Sequence, residues 1–287
     1  MRNRPSTFPK QIAIFIFAIA YVAASETIAV RHQEGITHGF LVLRSLDGRI
    51  LASGDLIQTV EGSTVTSETV FHFKDKSLQD ETVVFSQDRE FQLRSYHLVQ
   101  KGPSFPQPLE ISFEASKNEV TVHAEKDGKA KDETQHADLP EDVSNGMVIV
   151  LLKNVPETTS EIKLPMLSPS AKPRMITLTI TRVGERLFTV AGSKESALEF
   201  KVHIEIGGVA GAIAPILGKQ PPDTHVWMAS GRAPTFIRSE GPMCEGGPIW
   251  RTELAPVRLL PEEDVSHEPK SPATKKSGDT KSGKKKQ

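Results

Sequence analysis

The chain holds a single cysteine, Cys244, in the stretch GPMCEGGP, with Asp223 and His225 a short way upstream. A thiol, an imidazole and a carboxylate are the set that nucleophilic catalysis by cysteine uses: a base takes the thiol proton and an acid orients the base. The spacing of these three matches no cysteine-hydrolase signature, so Cys244 stands as a candidate reactive thiol. Its ordinary alternative is a small, half-buried apolar residue in a turn. One cysteine also forbids an internal disulfide and leaves a zinc knuckle without its second sulfur.

Other catalytic patterns are begun and not completed. A phosphate-cradling loop needs a first glycine and a metal-binding hydroxyl around Gly218-Lys219, and those places hold Ile213 and Gln220. The metalloprotease pattern starts at His267-Glu268 and runs into Pro269 and Ser271. No serine sits in a G-x-S-x-G elbow. His72, His123 and His203 fall on polar faces beside Lys or Glu, where a solvated surface histidine is the ordinary reading and a metal ligand would need further converging groups. The sequence therefore assigns no catalytic residue, no metal and no cofactor.

Residue types suited to holding a ligand are concentrated late in the chain. Trp227 and Trp250, the only two tryptophans, lie close to Phe236 and to a loop of small apolar residues, Val209 to Leu217, that includes Ile213. Aromatics supply area and glycines let backbone approach, so these residues with Met147 are the candidate walls of an apolar pocket. The competing fate of each tryptophan is core filling.

The elements that must position these residues read as strands. In Leu198 to Ile206, Leu, Phe, Val, Ile and Ile alternate with Glu, Lys, His and Glu, the period of a half-buried strand. Thr64 to Lys74, Leu109 to Ala115 and the run from Val120 repeat that alternation. Further strands are expected at 38–46, 49–60, 81–86, 90–100, 175–182, 187–191, 224–229, 234–238 and 249–257. Asp47-Gly48, Lys117-Asn118 and Asp127-Gly128 are turn signals between them. About a dozen strands joined by short turns, with no helix between them, exclude a parallel α/β sheet. His38 to Leu46 is apolar on both faces, and such a strand must be covered on both sides.

One segment departs from the pattern. Asp138-Leu-Pro-Glu141 has the spacing of a capping box, and Val143 to Leu152 is apolar nearly all round. This predicts a buried helix over about 139–153, with a buried strand from Met147 to Leu152 as its competitor. The expected fold is mainly β: a curved antiparallel sheet or open barrel wrapped around that one helix. The stretches FLVLRSLDGRILASGDL, VFSQDREFQLRSYHLVQKGPSFPQPLE, LPEDVSNGM, APILGKQPPDTHVW and GGPIWR together resemble a family of exported bacterial proteins of unknown function. The resemblance extends over roughly Gly39 to Leu259. That family is in turn remotely similar to the periplasmic lipoprotein carriers, which implies an open β-barrel closing over an apolar cavity and supplies no activity.

The two ends complete the organisation. Arg2, Arg4 and Lys10 precede the uncharged run IAIFIFAIAYVAA, and small residues follow. That order is the three-part secretory signal, and the run is shorter than a membrane span. Residues 1–25 are thus expected to be a cleaved leader, 26–260 a single β-domain in the periplasm or outside the cell, and 261–287 a disordered tail. Residues 26–269 carry 25 basic against 35 acidic side chains, a net of −10, and 270–287 carry seven Lys against one Asp, a net of +6. An acidic body has no footprint for nucleic acid. The Lys-rich tail suits an anionic envelope surface or plain solvation. The leading expectation is an exported, non-enzymatic protein that binds an apolar or lipid-like ligand in a β-barrel cavity. The alternatives are an envelope adaptor that binds protein or glycan on its surface, and a hydrolase using carboxylates or Cys244.

Overall fold

The computed structural model describes residues 27–126, 129–190, 193–207 and 220–255, with side chains described for all of these except 126, 129–131, 190 and 193. The expected leader, the Lys-rich tail, the Asp127-Gly128 turn, the loop from Val209 to Leu217 with Ile213, Gly218-Lys219 and His267 all lie outside the described residues.

Fourteen strands form one antiparallel sheet. In chain order they are β1 Thr37–Ser45, β2 Ile50–Glu61, β3 Thr64–Phe73, β4 Leu78–Gln87, β5 Phe91–Lys101, β6 Leu109–Glu114, β7 Glu119–Lys126, β8 Lys129–His136, β9 Glu161–Leu167, β10 Met175–Val190, β11 Ser193–Glu205, β12 Thr224–Ala229, β13 Thr235–Pro242 and β14 Ile249–Leu254. Among the described residues a single helix, α1 Val148–Asn154, stands between β8 and β9.

The order across the sheet is β8 to β1 by direct neighbours, then β14 back to β9. Two meanders thus meet at the β1–β14 pair, where Leu41 faces Leu254 and Ser45 faces Trp250. The edges are β8 and β9, which do not pair with each other. The crossover from one edge to the other carries α1, and α1 fills the curve between the two wings. One apolar cluster proves this placement: Phe85, Leu93 and Ile111 of the first wing, Leu164, Ile180 and Phe200 of the second, and Val150, Leu151 and Leu152 of the helix are all buried together. Side chains on an inward face alternate with solvated ones, so each strand supplies this core with every second residue.

A second cluster lies on the same sheet around β1 to β3 and β14. Phe73, Phe105 and Trp250 pack there with ring centroids 5.3 to 6.3 Å apart, Phe105 descending from the β5–β6 loop. Edge-to-face and tilted contacts are the favoured geometries for such rings. The inner face of β1 is therefore covered by this cluster, through Leu41 and Leu43, while Phe40 on its outer face is half exposed.

The helix is shorter than expected, seven residues in place of the 139–153 span. Three local features stop it from starting earlier. Gly146 has φ +69, outside the helical range. The Ser144 N–H and hydroxyl both donate to the Pro165 carbonyl, each at 2.8 Å. Asn145 exchanges a pair of bonds with the Leu167 N–H and carbonyl, also at 2.8 Å. The segment before α1 thus binds the edge strand β9 and covers part of its open backbone. Asp138 caps nothing; its carboxylate lies 3.2 Å from His136.

The other departures have equally local causes. The two strands expected at 175–182 and 187–191 are one strand, β10, with a register shift between Arg182 and Gly184. β8 and β9 carried too weak an apolar signal. Residues 132–136 of β8 are exposed throughout, so no alternation marks them. In β9, Pro165 interrupts an otherwise strand-like run, and proline is tolerated there because the strand is an edge. The turn signals hold: Gly48 has φ +91 and Asn118 φ +52.

Gly146 has a second constraint, since an added Cβ would stand 3.0 Å from the Val83 Cβ. Gly146→Ala should therefore lower stability by about 2 kcal/mol, from positive φ and crowding together. Phe105→Ala should cost about 3–5 kcal/mol by emptying the aromatic cluster. Urea unfolding of both variants measures these losses.

Candidate functional site

Where α1 ends, the second wing, the crossover after the helix and the segment before β1 bound a cleft of about 510 Å³. This volume lies within the range of small-molecule sites. Its floor is apolar: Leu152 from α1, Leu198 and Phe200 from β11 and Met228 from β12 are all buried and all line it. The floor exists because β11 and β12 alternate strictly, Leu198 standing opposite Met228 and Phe200 opposite Val226, so their inward residues form one continuous surface.

The rim is polar and mostly basic. Arg31, His32, Lys153 and Arg182 line it, with Glu157 as the one acidic residue among the lining groups. Two of these cations are already engaged. Lys153 donates to both carboxylate oxygens of Glu34 at 2.8 Å. Arg182 donates to Glu185 at 2.8 Å and to the Glu157 carbonyl at 2.6 Å. Among the described residues, the Arg31 guanidinium has no acidic or carbonyl partner.

Arg31 and His32 belong to a strap, residues 27–36, that crosses this end of the sheet before β1 begins. Ala29 bridges to Glu90, and Ile28 and Val30 pack on the main core. The rest of the strap is held by buried amides. Asn154 Oδ1 accepts from the N–H groups of both Arg31 and His32 at 2.7 Å. Gln87 accepts from the Glu34 N–H at 2.6 Å and donates to the Glu34 carbonyl at 3.0 Å. Gln58 Nε2 donates to the Glu34 carboxylate at 3.0 Å and to the Gly35 carbonyl at 2.8 Å. Buried polar groups persist when they are paired in this way.

The residues selected from the sequence do not line this cleft. Met147 is buried in the main core at the start of α1, and Trp250 is buried in the second cluster. Phe236 is half-buried and touches both clusters. Trp227 is on the opposite side of β12 from the buried Val226 and Met228. There its ring lies 6.0 Å from that of His225 and 6.0 Å from the Arg238 guanidinium, and its Nε1–H is buried without an acceptor among the described residues. Ile213 lies outside the described residues. Core filling accounts for Trp250 and Met147; the sheet's outer face accounts for Trp227.

Nor does the structure bring Cys244 to a base. The cysteine is half-buried against the second cluster, and burial raises its thiol pKa, which disfavours the thiolate a nucleophile needs. His225 lies 2.9 Å from Glu199, and Asp223 lies 2.6 Å from His203, so both are committed elsewhere. Six histidines of the outer face share one setting. His38, His97, His123, His136, His203 and His225 each lie within 3.2 Å of a carboxylate. His72 is exposed. Among the described residues, no group of three or more His, Cys, Asp or Glu is arranged to hold a metal ion.

Among the carboxyls with shifted pKa values, Glu81 and Glu199 move in opposite directions. Burial pushes the Glu81 carboxyl up, only partly offset by the Tyr96 hydroxyl that donates to it at 2.9 Å. Tyr96 itself is raised well above the ordinary phenol value, first by burial and then by the charge of Glu81. Burial also pushes Glu199 up, but the bonds from Arg186 and His225 outweigh it and the carboxyl titrates below the usual range.

Comparison with known proteins adds little to this geometry. No family model matches the chain, and no curated protein matches it. Among solved structures, the chain is similar to a beta-barrel-like protein of the domain of unknown function DUF1849 from Brucella abortus. The match has 9% identity and a TM-score of 0.45, and covers 80% of this chain and 100% of that one.

The two carboxyls should show in the pH dependence of stability. A depressed native pKa contributes stability that is present above the unfolded value and lost as pH falls through the native one, so Glu199→Gln should flatten the acid limb. The neutral-pH cost of that change should be small, because the Arg186 guanidinium left without its partner is largely exposed. Glu81 has the reverse sign: stability declines as pH rises from the unfolded value to the raised native one. Glu81→Gln should therefore stabilise at neutral pH and lose that advantage below about pH 4. Urea midpoints measured from about pH 3 to pH 7 separate the two slopes.

Proposed function

We propose that the protein is an exported, non-enzymatic binding protein that holds one amphiphile, an apolar chain with a polar head, in the cleft beside the C-terminal end of α1. The observation that carries the reading is the layering of that cleft. A buried floor of Leu198, Phe200 and Met228 lies beneath a rim of Arg31, Lys153 and Arg182. An apolar chain on the floor leaves water while its head stays at the rim, which is how small-molecule sites divide affinity from orientation. Export is supported by the basic, apolar and small-residue order of residues 2–25. It is supported also by the resemblance to exported bacterial proteins. The Lys-rich tail supplies a second contact with an anionic envelope surface.

Chain length is the direct test. Each methylene removed from water contributes on the order of 0.8 kcal/mol, so decanoate should bind more tightly than hexanoate by two orders of magnitude or more. Thr158 is exposed on the rim, and Thr158→Trp should abolish binding while leaving the unfolding midpoint unchanged. Isothermal titration below the micellar concentration measures both. Equal affinity for the two chain lengths, or binding indifferent to Thr158→Trp, would remove the cleft from consideration.

A further inference from the structure

Asn154 is the last residue of α1 and only 1% exposed. Both ends of its amide are engaged: Nδ2 donates to the Val150 carbonyl at 2.9 Å, while Oδ1 receives the two consecutive N–H groups of Arg31 and His32. An amide oxygen has two lone pairs, and here both serve the strap. The start of the strap is held by apolar contact through Ile28 and Val30, which would suffice for a segment that only covered the core. The stretch that reaches the cleft is held differently, by the buried amides of Asn154, Gln87 and Gln58 and by the Lys153–Glu34 pair. Directional bonds of this kind fix where a backbone stands, not merely that it is covered.

What they fix is Arg31. Lys153 is neutralised by Glu34 and Arg182 by Glu185, so Arg31 is the rim arginine or lysine whose charge is uncommitted among the described residues. We infer that Arg31 sets the specificity of the cleft for an anionic head group, carboxylate or phosphate, and that Asn154 is the positioning residue that delivers Arg31 to it by clamping the strap. The inference rests on the amphiphile-binding reading and adds to it the sign of the head group. It also adds a coupling. Binding free energies are reciprocal, so a ligand whose head holds Arg31 must make the strap harder to open, and a loosened strap must weaken the anion selectively.

The experiment titrates the full chain with decyl phosphate, decanoate and decanol, and follows amide exchange at Arg31 and His32. The wild type should prefer either anion over decanol by about tenfold, the worth of one charge-assisted hydrogen bond. Decyl phosphate should slow exchange at the two strap amides by a similar factor, and decanol should leave it unchanged. Arg31→Gln and Asn154→Leu should each bring the head-group preference to near parity while decanol affinity stays within about threefold. Asn154→Ala removes the same bonds to the strap with less crowding, should lose the preference likewise, and carries the test if Asn154→Leu fails to fold. A preference that survives Arg31→Gln overturns the role of Arg31. Equal weakening of decanol and decyl phosphate in Asn154→Leu makes Asn154 structural only. Wild-type binding of decanol as tight as that of the anions overturns this inference and keeps the cleft, whereas binding of none of the three overturns both.

Discussion

A curved sheet with two unpaired edges has to cover its concave face, and that requirement organises the molecule. Fourteen strands run in one antiparallel order from β8 to β9 without closing. A closed barrel would remove both edges and could fill its interior with its own side chains. Here the chain itself makes the bridge: it leaves β8, lays Ser144 and Asn145 along the open backbone of β9, turns at Gly146 and places α1 into the gap. Helix and edge protection are therefore one device. A seven-residue helix with no side-chain cap would not persist alone, and its stability comes from the apolar cluster it completes.

The same geometry explains why a cleft forms where it does. α1 is too short to fill the whole gap, and the floor of β11 and β12 continues past its last turn. What remains uncovered is bounded by the crossover loop on one side and by the strap on the other. The strap is thus one wall of that space. Its attachment by amides places uncharged donors and acceptors in a region where an unpaired charge would be costly. The one acid brought into that region, Glu34, is paired with Lys153.

The fold was legible in the sequence to the extent that faces differ in polarity. Leu198 to Glu205, Thr64 to Phe73 and Leu109 to Glu114 alternate because one face is buried; the last two are strands with nearly the expected bounds, while the strand expected at Leu198 to Ile206 is β11, which already begins at Ser193. β8 was not legible because its described side chains, 132–136, are all exposed, and β9 because its edge position permits a proline. The helix was visible as a run of apolar residues, but its start depends on tertiary bonds from Ser144 and Asn145 that no local spacing encodes. The site was hidden for a related reason. Tryptophan draws attention by its rarity, yet Trp250 fills a core and Trp227 stacks outside. The cleft is built from common residues, Leu198, Phe200 and Met228, that become a floor only when two strands pair. Arg31 carries no local pattern at all; its importance comes from Asn154, 123 positions away.

The claim that the cleft holds an amphiphile is tested most directly by what the protein retains in its native setting. Native mass spectrometry of protein purified from its own cells should show one bound species of lipid-like mass. Organic extraction should release it, and it should be missing from the Thr158→Trp protein prepared identically. A wild-type protein that carries only its own mass, or a ligand retained equally by the Thr158→Trp form, would contradict the account.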